Sequence, residues 1–242
     1  MSNVFEAHEW TNAFSEFCGT LLFQFLGGAA AANSSLKGDA SLGGLVTAAL
    51  GNGLALAVCI YFTADISGGH LNPAVTSGMA ITGQMKGGFK EWAFYVFAQI
   101  VGAIVGAGLL WLVLPMNMLT HHSYTTLGTM SNPHPMKVFI WEFIATFTLV
   151  FTVFAVCSHD DFKSTGPLAI GLALVAGVFA SGPYTGGSLN PARTLGPAIV
   201  FGVWNKWWVY MLATFFGGIV AGVVFQHMGF GKKDESRSSE YV

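Results

Sequence analysis

Six long apolar runs separated by polar connections set the pattern of this chain. They cover residues 12–32, 43–64, 92–114, 138–157, 167–181 and 207–227. A helix needs about 20 apolar residues to cross about 30 Å of hydrocarbon. All the runs reach that length except 167–181, which is short unless it extends at either end. Two further stretches, 74–84 and 192–203, are mildly apolar and too short to span. Each follows a Gly-rich segment, which suits a half-helix that enters the membrane and turns back. The pattern predicts an all-α membrane protein in one transmembrane domain, with six transmembrane helices plus two re-entrant half-helices. Residues 229–242 form a polar, Ser-rich tail, and the first residues lack the basic region of a cleavable signal.

Composition excludes the main alternatives. The chain is 53% apolar and only 9% charged, where a soluble domain carries about 25% charged residues. That deficit argues against a soluble enzyme or a disordered chain, and no basic face for nucleic acid exists. The net charge of -2 gives no bulk electrostatic choice of partner. Cys18, Cys59 and Cys157 lie in apolar runs and read as small buried hydrophobes. No nucleophile–base pair, phosphate loop, cofactor motif or metal-ligand spacing appears.

The two halves repeat. Residues 66–78, with Gly68-Gly69-His70-Leu71-Asn72-Pro73-Ala74 at their centre, align without gaps to residues 184–196, with Gly186-Gly187-Ser188-Leu189-Asn190-Pro191-Ala192, 118 positions later. Glu16-Phe17 and Glu142-Phe143 recur likewise, and Gly102/Gly106 and Gly218/Gly222 offer small-residue packing faces. Repeat one covers about 10–114 and repeat two about 137–228. Each holds three spans, an odd number, so the two Asn-Pro-Ala segments enter from opposite sides as an inverted repeat. Lys86, Lys90, Lys163, Lys232, Lys233 and Arg237 fall on one side and Lys37, Lys137 and Lys206 on the other. That bias favours cytoplasmic N- and C-termini. The Asn33 sequon falls on the outer side.

Asn is a preferred N-cap, and Pro is favoured at the first helical position. Asn72 and Asn190 are therefore expected to cap half-helices that begin inside the protein, leaving their amide NH₂ groups to donate outward. Two helix N-termini meeting near the midplane add a positive potential. Arg193 lies three residues after Asn190 in an apolar segment. It reads as a charge facing a wet cavity, or else as a snorkelling or ion-paired arginine. Water in such a file would donate to loop carbonyls and accept from both Asn amides, which breaks a proton-conducting chain.

Six spans, two Asn-Pro-Ala boxes, Arg193 after the second box and the Glu16-Phe17-Cys18-Gly19-Thr20 opening together resemble the aquaporin, or major intrinsic protein, family. The resemblance covers nearly the whole chain. It implies a homotetramer in the lipid bilayer with one pore per subunit, passing water and small neutral solutes. Gly68, Gly69, His70, Gly186 and Ser188 would line the entering loops. The family's outer constriction, counted from the boxes, falls at Asn52, Val178, Gly187 and Arg193. Strict water channels of the family carry Phe and His where Asn52 and Val178 stand, so this filter is expected to be wider. Similar Asn/Val/Gly fillings occur in some vacuolar-type plant members. Thr194 and Ala198 depart from the glycerol-channel pattern; Tyr210 fits water channels and Met211 does not. The implied function is a facilitative water channel that excludes protons and ions. Urea, ammonia, hydrogen peroxide and glycerol are further solutes to consider. The plasma membrane is expected rather than the vacuolar one.

Other readings stay open on the residues alone. An inverted repeat with broken helices also builds secondary transporters, and Arg193 could serve an anion channel. Glu16 and Glu142 could carry protons or could support the loop backbone; symmetry favours support. His70 could line the inner mouth or bond backbone. His121, His122 and His134 read as solvated loop residues. His159-Asp160-Asp161 reads as a solvated connection rather than a gate. Trp204, Trp207, Trp208 and Tyr210 read as an interfacial belt.

Overall fold

A computed structural model describes residues 7–34, 42–116, 118, 134–162 and 164–228. The first half contributes α1 (Ala7–Asn33), α2 (Leu42–Ser67), the short α3 (Pro73–Ile81) and α4 (Gly88–Val113). The second half repeats the order with α5 (Pro135–Cys157), α6 (Gly166–Thr185), the short α7 (Pro191–Phe201) and α8 (Trp207–His227). α2, α4, α5, α6 and α8 are each long and apolar enough to cross a membrane. α1 has 27 residues, ample length for a span, and takes Glu16 and Gln24 into the interior. The short fifth run is resolved by extension: α6 continues through Pro183 to Thr185.

Polarity is inverted relative to a soluble protein. Glu16, Gln24, Asn52, Gln99, Glu142 and Arg193 are buried, while Phe14, Leu54, Phe97, Trp111, Ile144 and Leu212 face outward. Lipid solvates the second set at no cost, whereas each polar group of the first must find a partner inside.

α3 and α7 have 9 and 11 residues, which at about 1.5 Å per residue give about 14 and 17 Å. Neither spans the bilayer alone, and the two end to end match one hydrocarbon thickness. Each packs mainly on the last helix of the opposite half, α3 on α8 and α7 on α4. Close approach makes this possible. A Cβ on Gly218 would lie 2.3 Å from the Ala74 carbonyl oxygen, and one on Gly222 would lie 2.9 Å from that of Gly78. Gly102 and Gly106 serve the α1–α4 contact instead, 2.4 and 2.3 Å from the carbonyl oxygens of Phe17 and Leu21.

Because the obstacle at Gly218 is backbone, Gly218→Ala is expected to push α8 off α3 and destabilise the fold by about 1–3 kcal/mol. Gly108→Ala, which meets nothing within 4 Å, serves as the neutral reference. Thermal unfolding of the detergent-solubilised variants checks this, and equal midpoints would refute it.

Two expectations are corrected. Tyr210 is no belt residue: it is 3% exposed, and its hydroxyl donates to the Thr185 carbonyl at 2.8 Å. Only Trp204, Trp207 and Trp208 of that group face outward. Cys157 is exposed at the end of α5, Cys18 is half-buried, and Cys59 alone is fully buried. His134 lies exposed in the connection before α5, as expected, and also caps that helix, its Nδ1 accepting from the Met136 N–H at 3.3 Å. Lys37, His121, His122, Lys163 and residues 229–242 lie outside the described residues.

Candidate functional site: two half-helices meeting tip to tip

The loops that lead to the half-helices trace the same path twice. Gly68 and Gly69 take φ of 87° and 60°, and Gly186 and Gly187 take 82° and 62°. Leu71 and Leu189 follow at 50° and 54°, a left-handed conformation that costs an ordinary residue of order 1 kcal/mol. Both leucines are fully buried, so packing holds them there. Among the described residues, no donor reaches the carbonyls of Gly68, Gly69, His70 or Gly186.

Two buried carboxylates organise these loops. Oε1 of Glu16 accepts from Ser67 Oγ at 2.7 Å and the His70 N–H at 2.9 Å. Its Oε2 accepts from the Leu71 N–H at 2.6 Å and Gln99 Nε2 at 2.8 Å. Glu142 accepts from Thr185 Oγ1 at 2.6 Å, the Ser188 N–H at 3.0 Å and the Leu189 N–H at 2.9 Å. Four donors hold the first carboxylate and three the second. Gln99 also donates to Thr76 Oγ1 at 2.8 Å, tying the loop to α3. The His70 ring sits 3.2 Å from the same hydroxyl; Ser188 Oγ contacts Thr194 Oγ1 in the equivalent place.

Asn72 caps α3, its Oδ1 accepting from the Ala74 N–H at 2.9 Å. Asn190 caps α7, accepting from the N–H groups of Ala192 at 2.9 Å and Arg193 at 3.2 Å. The sequence predicts amides free to donate outward, and the structure engages each of them once. Asn72 Nδ2 donates to the Leu189 carbonyl and Asn190 Nδ2 to the Leu71 carbonyl, both at 2.9 Å. Each half therefore closes the other's loop. An amide has two N–H groups, so one remains on each Asn for a passing molecule.

Arg193 is 7% exposed. Its Nε donates to Asn52 Oδ1 at 3.0 Å and its Nη1 to the Gly187 carbonyl at 2.6 Å. A Cβ on Gly187 would lie 3.1 Å from Val178 Cα. The four residues counted out as a constriction are thus neighbours in space.

Comparison with known proteins places this architecture. The profile of the family described as Major intrinsic protein matches residues 3–225. The chain belongs to the major intrinsic protein family. Among its relatives, Aquaporin TIP2-1 of Arabidopsis thaliana is 40% identical over 235 residues, 94% of this chain and 88% of its own length. Aquaporin-4 of Mus musculus is 37% identical over 227 residues, 90% of this chain and 69% of its own. The X-ray structure of the aquaglyceroporin from Plasmodium falciparum has the same fold. It superposes with a TM-score of 0.76 at 24% identity, covering 90% of this chain and 95% of that one. This major intrinsic protein is accordingly an integral, multi-pass membrane protein.

The sequence assigns no role to several residues at the site, although its repeated segment contains Ser67, Thr76 and Thr185. Gln99, Ser67, Thr76, Thr185 and Tyr95 all bond the loop framework, Tyr95 through its hydroxyl to the Ser67 carbonyl at 3.0 Å. A usable signal existed: polar side chains inside otherwise apolar spans, some recurring in both repeats, as Tyr95 and Tyr210 do.

Proposed function

We propose that this major intrinsic protein is a facilitative water channel that excludes protons and ions and also admits small neutral solutes such as urea, ammonia or hydrogen peroxide. The observation that carries this reading is the reciprocal docking of Asn72 and Asn190 across the midpoint. The docking fixes two amides rigidly, each with one donor left over. Water passing between them accepts from both and turns its hydrogens outward, toward the carbonyls of Gly68, Gly69 and His70 on one side and Gly186 on the other. No continuous donor chain survives that reversal. The helix N-termini of α3 and α7 add a positive potential that opposes cations.

In this reading Asn72, Pro73, Ala74, Asn190, Pro191 and Ala192 form the central constriction. Val178, Gly187 and Arg193 form the outer one with Asn52 bonded to the arginine behind it, and Glu16 and Glu142 support the loops. The relatives' names support water as the principal cargo. Asn and Val in place of larger aromatic groups support a broader solute range. The lysine bias supports cytoplasmic termini, and the family supports a homotetramer.

Purified protein in liposomes is expected to speed osmotic shrinkage well beyond that of empty vesicles, without raising the leak of protons, chloride or nitrate. Shrinkage equal to that of empty vesicles, or flux that saturates and follows an ion gradient, would sink the reading.

A further inference from the structure

Asn52 stands where a passage-lining side chain is expected, yet it is 0% exposed and its bonding capacity is engaged. Its Nδ2 donates to the carbonyls of Ala48 at 2.8 Å and Gly27 at 3.2 Å. Its Oδ1 accepts from Arg193 Nε at 3.0 Å. Since the Gly187 carbonyl holds Arg193 Nη1 at 2.6 Å, two separate points of a planar guanidinium are fixed. Two points fix its rotation, and Nη2 has no protein partner among the described residues. We propose that Asn52 is a positioning residue rather than a wall of the passage, and that Gly27 on α1 is its obligatory partner, the pair setting the orientation of Arg193 and through it the solute cut-off.

Gly27 enters because of space. A Cβ there would lie 2.5 Å from Asn52 Oδ1 and 3.2 Å from Cγ. The atom it meets is the end of a side chain, so the carboxamide yields and the helix does not. Gly27→Ala therefore turns Oδ1 away from Arg193 without touching the arginine or the passage. The neighbouring Gly28 gives a matched reference, because a Cβ there meets Leu110 Cδ2 at 2.7 Å and Gln24 Nε2 at 3.5 Å, and no atom of Asn52.

The solute consequence rests on the channel reading above; the positioning claim does not. The chain has only two arginines, Arg193 and Arg237, so selective ¹⁵N-arginine labelling of the full chain in lipid bilayers gives a spectrum of two side chains. Arg193→Lys assigns the Arg193 Nε–H. A hydrogen bond to a charged donor is strong enough that its loss speeds exchange of that proton by about tenfold or more. Asn52→Ala and Gly27→Ala are both expected to show this acceleration, and Gly28→Ala to show none. In liposomes the first two are expected to raise the ratio of urea to water permeability several-fold, with Gly28→Ala unchanged. Wild-type exchange in either folded Asn52→Ala or Gly27→Ala overturns the proposal. Accelerated exchange with an unchanged urea-to-water ratio overturns its claim on the cut-off. A wild-type protein that passes neither water nor urea defeats the channel reading instead, and the exchange rates still decide the role of Asn52.

Discussion

Glu16→Ala is expected to lower the thermal midpoint of the solubilised protein more than Gly218→Ala does, and more than Glu142→Ala. The Glu16 carboxylate accepts from two backbone N–H groups, Ser67 Oγ and Gln99 Nε2. All sit in a region with little access to water, and the backbone cannot withdraw its donors. The Ser67 hydroxyl has a second acceptor in the Thr63 carbonyl at 3.3 Å; the two backbone N–H groups are left bare, and Gln99 Nε2 keeps only its bond to Thr76 Oγ1. At about 1–3 kcal/mol for each unsatisfied group, the loss is on the order of 4 kcal/mol. For a chain of this size that is a fall on the order of 10 °C. Glu142 has three donors, one of them the Thr185 hydroxyl, which also reaches the Ser181 carbonyl at 3.2 Å. Glu142→Ala should therefore fall less. Glu16→Gln keeps one acceptor oxygen but turns an NH₂ toward a donor, and should lie between wild type and alanine. Midpoints unchanged in both alanine variants would show that the loops stand without the carboxylates.

Arg193→Ala is expected to have the largest effect on what passes. The substitution removes bulk from the constriction and a fixed positive charge beside it. A unit charge 4 Å from a passing cation repels it by about 4 kcal/mol at an effective dielectric constant near 20. Losing a barrier of that size in full raises proton and cation leak by about a thousandfold, while the half-helix tips still contribute their potential. Urea and glycerol fluxes rise as well, because the guanidinium no longer occupies its edge of the opening. Water flux persists, since Asn72 and Asn190 are untouched. Parallel measurements of water, urea, glycerol and proton permeability in liposomes check this. A profile identical to wild type would remove Arg193 from the constriction.

Much of this was legible in the chain. Apolar length placed six spans, and an odd number of them per repeat forced the inversion. The Asn-Pro pair announced both caps, because few residues accept from a helix's first N–H groups and only Pro loses nothing at the next position. The end of α6 was not legible: Ser181-Gly182-Pro183 looks like a helix terminus, yet the helix runs on two residues beyond the proline. Nor was the crossed packing of α3 on α8 and α7 on α4, since small residues mark a close approach without naming the neighbour. Tyr210 was misplaced because an aromatic near a span's end has the same sequence signature whether it faces lipid or a buried carbonyl. Asn52 was read as lining because it falls at the family's constriction when counted back from Asn72, and only its partners on α1 and α7 show that it is fully engaged.

The exchange of amide and carbonyl between Asn72 and Leu189, and between Asn190 and Leu71, bears on how the chain is made. When a ribosome has finished the first repeat, the Leu71 oxygen and one Asn72 hydrogen have no mate, because residues 189 and 190 have yet to be translated. The early bundle must hold that vacancy within oil or keep it hydrated. Maturation is thus a late, mutual clasp rather than two consecutive completions, and a product stopped midway would be a natural target for membrane quality control.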